Sequence, residues 1–129
     1  MRNPLLDSLL IALGAAGGAN ARYWLTTWFV ERWGPAFPWG TLVINLSGSL
    51  LVGVILALIL ARGETDPTLR LLLVTGFLGA YTTFSTYTYD TVRLLETGRI
   101  GAALANALGS MGLGLAAAAG GLWLGSRLA

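Results

Sequence analysis

The chain has 129 residues, of which 55% are hydrophobic and 11% are charged, and its formal net charge is +2. An ordinary soluble domain carries about twice that charged fraction, so the composition is that of a membrane protein. Cysteine and histidine are absent, which excludes disulfides, thiolate chemistry and the usual zinc sites. All the cations are arginines, and they are scattered with no basic face, so no nucleic-acid partner is expected.

Uncharged runs predict four membrane-crossing helices. These runs lie at residues 8–21, 33–61, 71–89 and 100–126. A crossing needs about 20 apolar residues, which the first run reaches only if its helix continues past Arg22 to Val30. The sequence therefore predicts an all-α integral membrane protein, a single four-helix domain over residues 1–129. The expected helices lie at about 5–30, 41–61, 69–95 and 100–127. The first helix lacks a signal-peptide layout and is kept in the mature protein.

The first two helices carry small and polar residues on one side. The first contains "GAAGGANAR", a small-residue stripe that allows close helix contact and ends at Arg22. An arginine at this depth must snorkel or face water or protein. In the second helix, Thr41, Asn45, Gly48 and Ser49 form one polar face. An asparagine in such a place either joins helices or lines a pathway, and the sequence leaves both open.

The third helix contains "GFLGAYTTFSTYTYD" at residues 76–90, where all residues from Tyr81 to Tyr89 except Phe84 carry a hydroxyl. Two glycines precede weak helix formers, which predicts an interruption near Gly79–Thr83. Carbonyls freed by such a break are hard ligands for a cation such as Na⁺. Hydroxyls and aromatic ring edges suit a small anion that must lose its water. Phe84 and Tyr87 share a helix face, either along such a path or in simple packing.

The distribution of acidic residues argues against an enzyme. No pair of carboxylates lies deep in a predicted helix, no histidine can activate a serine, and no phosphate loop is present. A small proton-coupled four-helix exporter needs a buried carboxylate, and Asp90 is the one candidate. Because Arg93 follows closely, an ion-paired Asp90 at the membrane interface is the preferred interpretation. The exporter remains the alternative function.

Arginine counts on the two expected sides of the membrane are nearly equal. One side holds Arg2, Arg62, Arg70 and Arg127, and the other holds Arg32, Arg93 and Arg99, with Arg22 close by. The positive-inside rule therefore fixes no orientation, and insertion in both directions is compatible with the charges.

Three segments carry a resemblance to a known family. "GGANAR" at 17–22, "GTLVINLSGSLLVG" at 40–53 and "GFLGAYTTFSTYTYD" at 76–90 resemble the Fluc or CrcB fluoride channels, with all four helices in order. The resemblance implies an antiparallel, dual-topology homodimer with two pores in the inner or plasma membrane, surrounded by lipid. It implies passive export of fluoride that has entered as the weak acid. It also implies a structural, untransported Na⁺ at the dimer interface, held by main-chain oxygens of Gly79 and Thr82. A dimer is expected as well because one subunit of this size cannot surround a pore.

The resemblance also assigns side chains, residue by residue. Phe84 and Tyr87 match the two pore aromatics, Asn45 the pore asparagine of the second helix, and Arg22 an arginine near the vestibule. The matching hydroxyls are Ser85, Thr86 and Ser110. The family usually has Phe at Tyr87, often has Tyr at Asn106, and commonly has a serine at Gly114. The Tyr87 hydroxyl adds a donor and bulk, from which we expect tighter fluoride binding or slower passage.

Overall fold

The computed structural model describes residues 3–63 and 67–129. Within these ranges the chain is helical and has no strand. In order, the elements are α1 (Pro4–Trp33), α2 (Trp39–Ala61), a π-helix (Arg70–Leu78), the single turn α3 (Gly79–Tyr81), α4 (Phe84–Glu96) and α5 (Ile100–Leu128). Arg2, which figured in the count of arginines, lies outside the described ranges, as do residues 64–66 of the connector between α2 and the π-helix.

Helix α1 continues well beyond the expected end at Val30, because both of its ends are capped. The Asn3 side chain accepts a hydrogen bond from the Leu5 N–H, and Pro4 occupies the first helical position, where its missing N–H costs nothing. At the other end Gly34 adopts a positive φ of 75°, and its N–H donates to the carbonyl of Val30. The helix therefore runs for 30 residues, or about 45 Å, which is more than a bilayer core requires.

Glycines bring the helices into backbone contact. Helix α2 packs along α5, where a Cβ added at Gly121 would lie against the Leu50 carbonyl. Helix α1 packs on the π-helix in the same way, because a Cβ at Gly14 would meet the backbone of Leu72 and Phe77. The small-residue stripe of α1 is thus a helix contact, as the sequence predicts. Ile44, Leu78 and Tyr81 form the buried centre between these pairs.

The third segment is interrupted at Thr82 and Thr83. Both residues are extended, with φ and ψ of −79° and 155° at Thr82 and of −149° and 117° at Thr83. The break is narrower than the expected Gly79–Thr83, since Gly79 begins the helical turn α3. Gly76 serves a different purpose from the one expected. It lies against α1, where a Cβ would meet the carbonyl of Ile11.

In the part of the chain that the structure describes, three helices are long and apolar enough to cross a membrane: Pro4–Trp33, Trp39–Ala61 and Ile100–Leu128. The interrupted third segment adds further helices between them. Large apolar side chains such as Leu13, Trp24, Leu108 and Leu115 are each more than 60% exposed on the outer faces of α1 and α5. Such an exterior suits hydrocarbon and not water, so the fold is that of a multi-pass membrane protein.

Candidate functional site

Asn45 holds the break in the third segment. Its Nδ2 donates to the Thr83 carbonyl at 3.0 Å, and its Oδ1 accepts from the Thr83 N–H at 2.8 Å. The side-chain amide of Asn45 therefore pairs with both backbone groups of Thr83, its N–H and its carbonyl. Thr83 is 7% exposed, so leaving these groups unpaired would carry a full desolvation cost. The sequence left Asn45 open between joining helices and lining a path, and here it joins α2 to the break.

The same hydrogen bonds release the two carbonyls that the sequence assigns to a cation. In an uninterrupted α-helix the Gly79 carbonyl would accept from the Thr83 N–H, which here donates to Asn45. The Thr82 carbonyl would accept from the Thr86 N–H, which here donates to Thr83 Oγ1 at 3.2 Å. Both oxygens have thus lost their helical donors. Carbonyl oxygens without donors are the hard ligands that Na⁺ prefers, so the two residues fit the expected ion.

A cavity of about 260 Å³ adjoins Gly79 and Thr82. Gly79, Thr82 and Asn45 line it, together with Gly48 and Ser49 of the polar face of α2. Gly48 is required here, because a Cβ at this position would overlap the Thr82 methyl group. The structure therefore brings Asn45 and the two proposed metal residues to one place. Among the described residues, no three acidic side chains lie close enough together to hold a metal ion.

A second cavity, of about 310 Å³, lies between α4, α5 and α2. Phe84, Tyr87 and Ser110, three of the residues assigned to the anion path, line it together with Ser49. The rings of Phe84 and Tyr87 are 5.6 Å apart between centroids and inclined by 43°. Phe84 is 75% exposed, so its ring projects from the subunit and is not part of the core. All the other residues around this cavity are uncharged as well: Met111, Gly114, Leu115 and Ala118.

The Tyr87 hydroxyl does not point freely into this cavity. It donates to the Ala107 carbonyl of α5 at 2.9 Å. The oxygen that distinguishes Tyr from the usual Phe therefore fastens α4 to α5. Ala107 lies in another helix, and nothing in the local sequence around Tyr87 signals this partner.

Asn106 is a buried polar residue to which the sequence gave no role. It is fully buried, and its Nδ2 donates to Thr91 Oγ1 at 2.9 Å. Its Oδ1 accepts from Ser110 Oγ at 3.3 Å. Thr91 Oγ1 in turn donates to the Tyr87 carbonyl at 2.8 Å. The spacing of Asn106 and Ser110, four apart on one helix face, was the available signal for their contact.

Three hydroxyls of the third segment, those of Thr83, Ser85 and Thr86, form a cluster at the start of α4. Thr83 Oγ1 accepts from the Thr86 N–H and donates to Thr86 Oγ1 at 3.1 Å, so Thr83 is the N-cap of α4. Ser85 Oγ lies 3.3 Å from the same Thr83 hydroxyl. Ser85 is exposed and lines neither cavity, and Thr86 borders a third cavity nearer the α1–α2 loop.

The expected ion pair between Asp90 and Arg93 is wrong. Asp90 Oδ2 accepts a hydrogen bond from Thr41 Oγ1 at 2.8 Å, and Arg93 pairs with Glu96 at 2.7 Å. Arg93 has Glu96 within one turn of its own helix, whereas the neutral Thr41 lies across from Asp90 on α2. Asp90 and Arg93 do both border the third cavity, which has a volume of about 450 Å³ and is also lined by Thr86, Trp39 and Arg99.

Arg22 lies apart from these cavities. It is half-buried on α1, one turn before Thr26, and makes no hydrogen bond or ion pair with any residue in the described ranges. Its assignment to a vestibule stays a prediction, as do the roles assigned to the other site residues.

An apolar exterior, a broken helix and two uncharged cavities bordered by hydroxyl-bearing residues are features of a membrane transport protein. A family model described as "CrcB-like protein, Camphor Resistance (CrcB)" matches residues 9–122. The chain belongs to this family, which confirms the resemblance found in the sequence.

Similar curated proteins cover nearly the same range. A protein of Synechococcus sp. (strain JA-2-3B'a(2-13)) is 51% identical over 100 residues, which are 78% of this chain and 77% of that protein. One of Roseiflexus sp. (strain RS-1) is 44% identical over 96% of this chain and 97% of its own. A protein of Chloroflexus aurantiacus is 47% identical over 91% of this chain and 93% of its own length. Each is named "Fluoride-specific ion channel FluC". The family is one of channels, so the prediction that this chain is not an enzyme is confirmed.

Proposed function

We propose that the chain is a fluoride channel that lets F⁻ leave the cell passively across the inner or plasma membrane. The observation that carries this proposal is the cavity shared by Phe84, Tyr87 and Ser110. Its lining combines aromatic rings with hydroxyl-bearing side chains and carries no charge, and uncharged groups of these kinds suit a dehydrated anion. The named relatives add independent support. Export in this form relieves toxicity, because fluoride that enters as the neutral acid is trapped inside as the anion.

The absence of a fixed charge around this cavity favours conduction over tight binding. Its lining residues are all uncharged. A fixed positive charge here would bind the anion too tightly, whereas conduction needs sites that bind the ion weakly enough for it to leave. The rings of Phe84 and Tyr87 border the cavity, a ring edge carries positive potential, and the Tyr87 ring is held in place by its bond to Ala107.

The working unit in this proposal is an antiparallel homodimer with two pores, embedded in lipid. Support comes from Phe84, whose ring is 75% exposed on a single subunit. Facing a second copy, the cavity would gain its missing wall. The near-equal arginine counts on the two sides of the membrane permit the two opposite orientations.

A structural Na⁺ at the centre of the dimer belongs to the same proposal. The carbonyls of Gly79 and Thr82 would hold it, since both have lost their helical donors. One chain offers two such oxygens, so the second copy would supply the others. When bound, the ion would supply positive charge that holds the two helix breaks together.

Planar-bilayer recording tests this function directly. With different fluoride and chloride gradients across the bilayer, the current should reverse at the fluoride equilibrium potential and should need no proton gradient. A proton-coupled exporter would instead give flux that follows the pH difference. Chloride-selective current, or flux abolished by collapsing the proton gradient, would overturn the proposal.

A further inference from the structure

Hydroxyl groups around the Phe84–Tyr87 cavity differ in where their hydrogens are directed. A hydroxyl group can bind an anion only through its hydrogen, and each hydroxyl has a single hydrogen to donate. Three side chains with hydroxyls line this cavity: Ser49, Tyr87 and Ser110. Which of them can serve an anion follows from the partners that each already has.

The direction of the hydrogen bonds that end at Ser110 is forced. The Tyr87 carbonyl can only accept, so Thr91 donates its hydrogen there. Thr91 Oγ1 must then accept from Asn106, which turns the amide nitrogen toward Thr91. The amide oxygen of Asn106 consequently faces Ser110 and can only accept. Ser110 therefore gives its hydrogen to Asn106 and turns its lone pairs toward the cavity.

Tyr87 is committed in the same way. Its hydroxyl hydrogen goes to the Ala107 carbonyl, which again can only accept. The bond is 2.9 Å long, ordinary for a neutral pair. The extra hydroxyl of Tyr87 therefore gives the anion no donor, although the sequence alone suggested that it would.

Ser49 is different from both. Its hydroxyl makes no hydrogen bond with any residue in the ranges 3–63 and 67–129, while the side chain is half-buried on α2. It borders the Phe84–Tyr87 cavity and also the cavity beside the helix break. Its Oγ lies 3.9 Å from the position a Cβ would take at Gly114, so it lies beside α5.

We propose that Ser49, and neither Ser110 nor Tyr87, is the hydroxyl donor that binds the anion in this cavity. The inference rests on the proposed fluoride conduction and specifies its binding group. Asn106 is then a positioning residue, because it takes the hydrogen of Ser110 and so decides which hydroxyl is available. The ring edges of Phe84 and Tyr87 complete the uncharged site.

Single-channel recordings over a series of fluoride concentrations test this assignment. Ser49→Ala should raise the half-saturating fluoride concentration by about tenfold, the usual worth of a hydrogen bond to a charged group. Ser49→Thr keeps a hydroxyl and should restore most of that loss. Ser110→Ala and Tyr87→Phe should each move the half-saturating concentration by less than about twofold, because neither hydrogen reaches the anion.

A matched control is Ser126→Ala on α5, whose hydroxyl donates to the Trp123 carbonyl far from the cavity. It should leave the half-saturating concentration unchanged. Because this concentration is read from individual open channels, a variant that merely folds less well would not move it. Asn106→Leu adds a second arm. It frees the Ser110 hydrogen and should lower the half-saturating concentration, and Ser110→Ala in the same chain should cancel that change.

The outcomes separate this inference from the proposed function. The assignment would be overturned, and the proposed function kept, if wild type conducts fluoride but the half-saturating fluoride concentration shifts strongly in Ser110→Ala and not in Ser49→Ala. Failure of Asn106→Leu to change fluoride binding in folded channels would remove its positioning role. Wild-type protein that passes no fluoride would overturn the function and the assignment together.

Discussion

At the scale of single residues, polar groups of the third segment divide between holding the protein together and facing its cavities. Thr83 caps α4, Tyr87 fastens α4 to α5, and Thr91 connects to Asn106. Thr86 borders a cavity, and so does the apolar ring of Phe84 close to it in sequence. A hydroxyl-rich stretch is therefore not a continuous row of anion donors, and its members must be tested one by one.

Asp90 is the residue on which a channel and a proton-coupled exporter differ most. Asp90→Asn should change fluoride flux by less than about threefold, because an amide oxygen can still accept the Thr41 hydrogen bond. Flux from reconstituted vesicles, measured at equal protein content, checks this. Loss of all transport in dimers that remain intact would favour the exporter.

At the scale of elements, the break between α3 and α4 depends on a residue of another helix. The sequence predicted an interruption in this region from Gly76 and Gly79, and the structure has one at Thr82 and Thr83. Its position could not be predicted more closely, because the partner of Thr83 is Asn45, 38 residues earlier. Gly76 was informative about close packing against α1, which a local argument cannot distinguish from flexibility.

Other features of the third segment gave no local signal at all. The widening of Arg70–Leu78 into a π-helix has no recognisable pattern in its apolar sequence. The wrong ion pair at Asp90 had a similar origin. Sequence proximity suggested Arg93, whereas tertiary packing gave Asp90 the hydroxyl of Thr41 and left Arg93 to Glu96.

The break gives a stability prediction. Asn45→Ala should destabilise the protein by about 2 to 4 kcal/mol, since it leaves a buried N–H and a buried carbonyl of Thr83 without partners. Denaturation in detergent would measure the change. Asn20→Ala is the matched control, because Asn20 is exposed and bonds only within its own helix. Equal stabilities for the two variants would contradict the role given to Asn45.

Contact between α2 and α5 gives a second stability prediction from adjacent glycines. Gly121→Ala should cost about 1 to 3 kcal/mol, because its Cβ would meet the Leu50 carbonyl. Gly120→Ala should be neutral or stabilise by up to about 1 kcal/mol, since nothing lies within 4 Å of the added Cβ. Unfolding midpoints of the two variants in one detergent provide the comparison, and an inverted order would refute this packing.

At the scale of the whole molecule, one subunit presents half-open cavities on an apolar exterior. The Phe84 ring is largely exposed, and Gly79 and Thr82, whose carbonyls have lost their helical donors, line a cavity at the helix break. Each feature is completed by a second copy in the proposed dimer. The assembly, the two opposite orientations and the central ion thus belong to one account, and they should respond together when the ion is removed.

Removal of Na⁺ tests this link. Exchanging it for a large organic cation on both sides should destabilise the dimer, by about 2.7 kcal/mol if Na⁺ was present at a hundred times its Kd. Fluoride flux should fall in parallel. Thermal unfolding and flux in matched buffers provide the two readouts. Dimers of unchanged stability and flux in the absence of Na⁺ would eliminate the structural ion from the account.

The central claim is that fluoride crosses the membrane along the exposed ring of Phe84. Fluoride release from liposomes, followed with a fluoride electrode, measures this for wild type and Phe84→Ile at equal protein density. Within the described residues the Phe84 ring makes a ring-to-ring contact only with Tyr87, so the variant should still fold, and its dimer content is measured alongside. Wild type should empty its liposomes rapidly, and Phe84→Ile should do so at least about tenfold more slowly. Equal release from both, with intact dimers, would contradict the account.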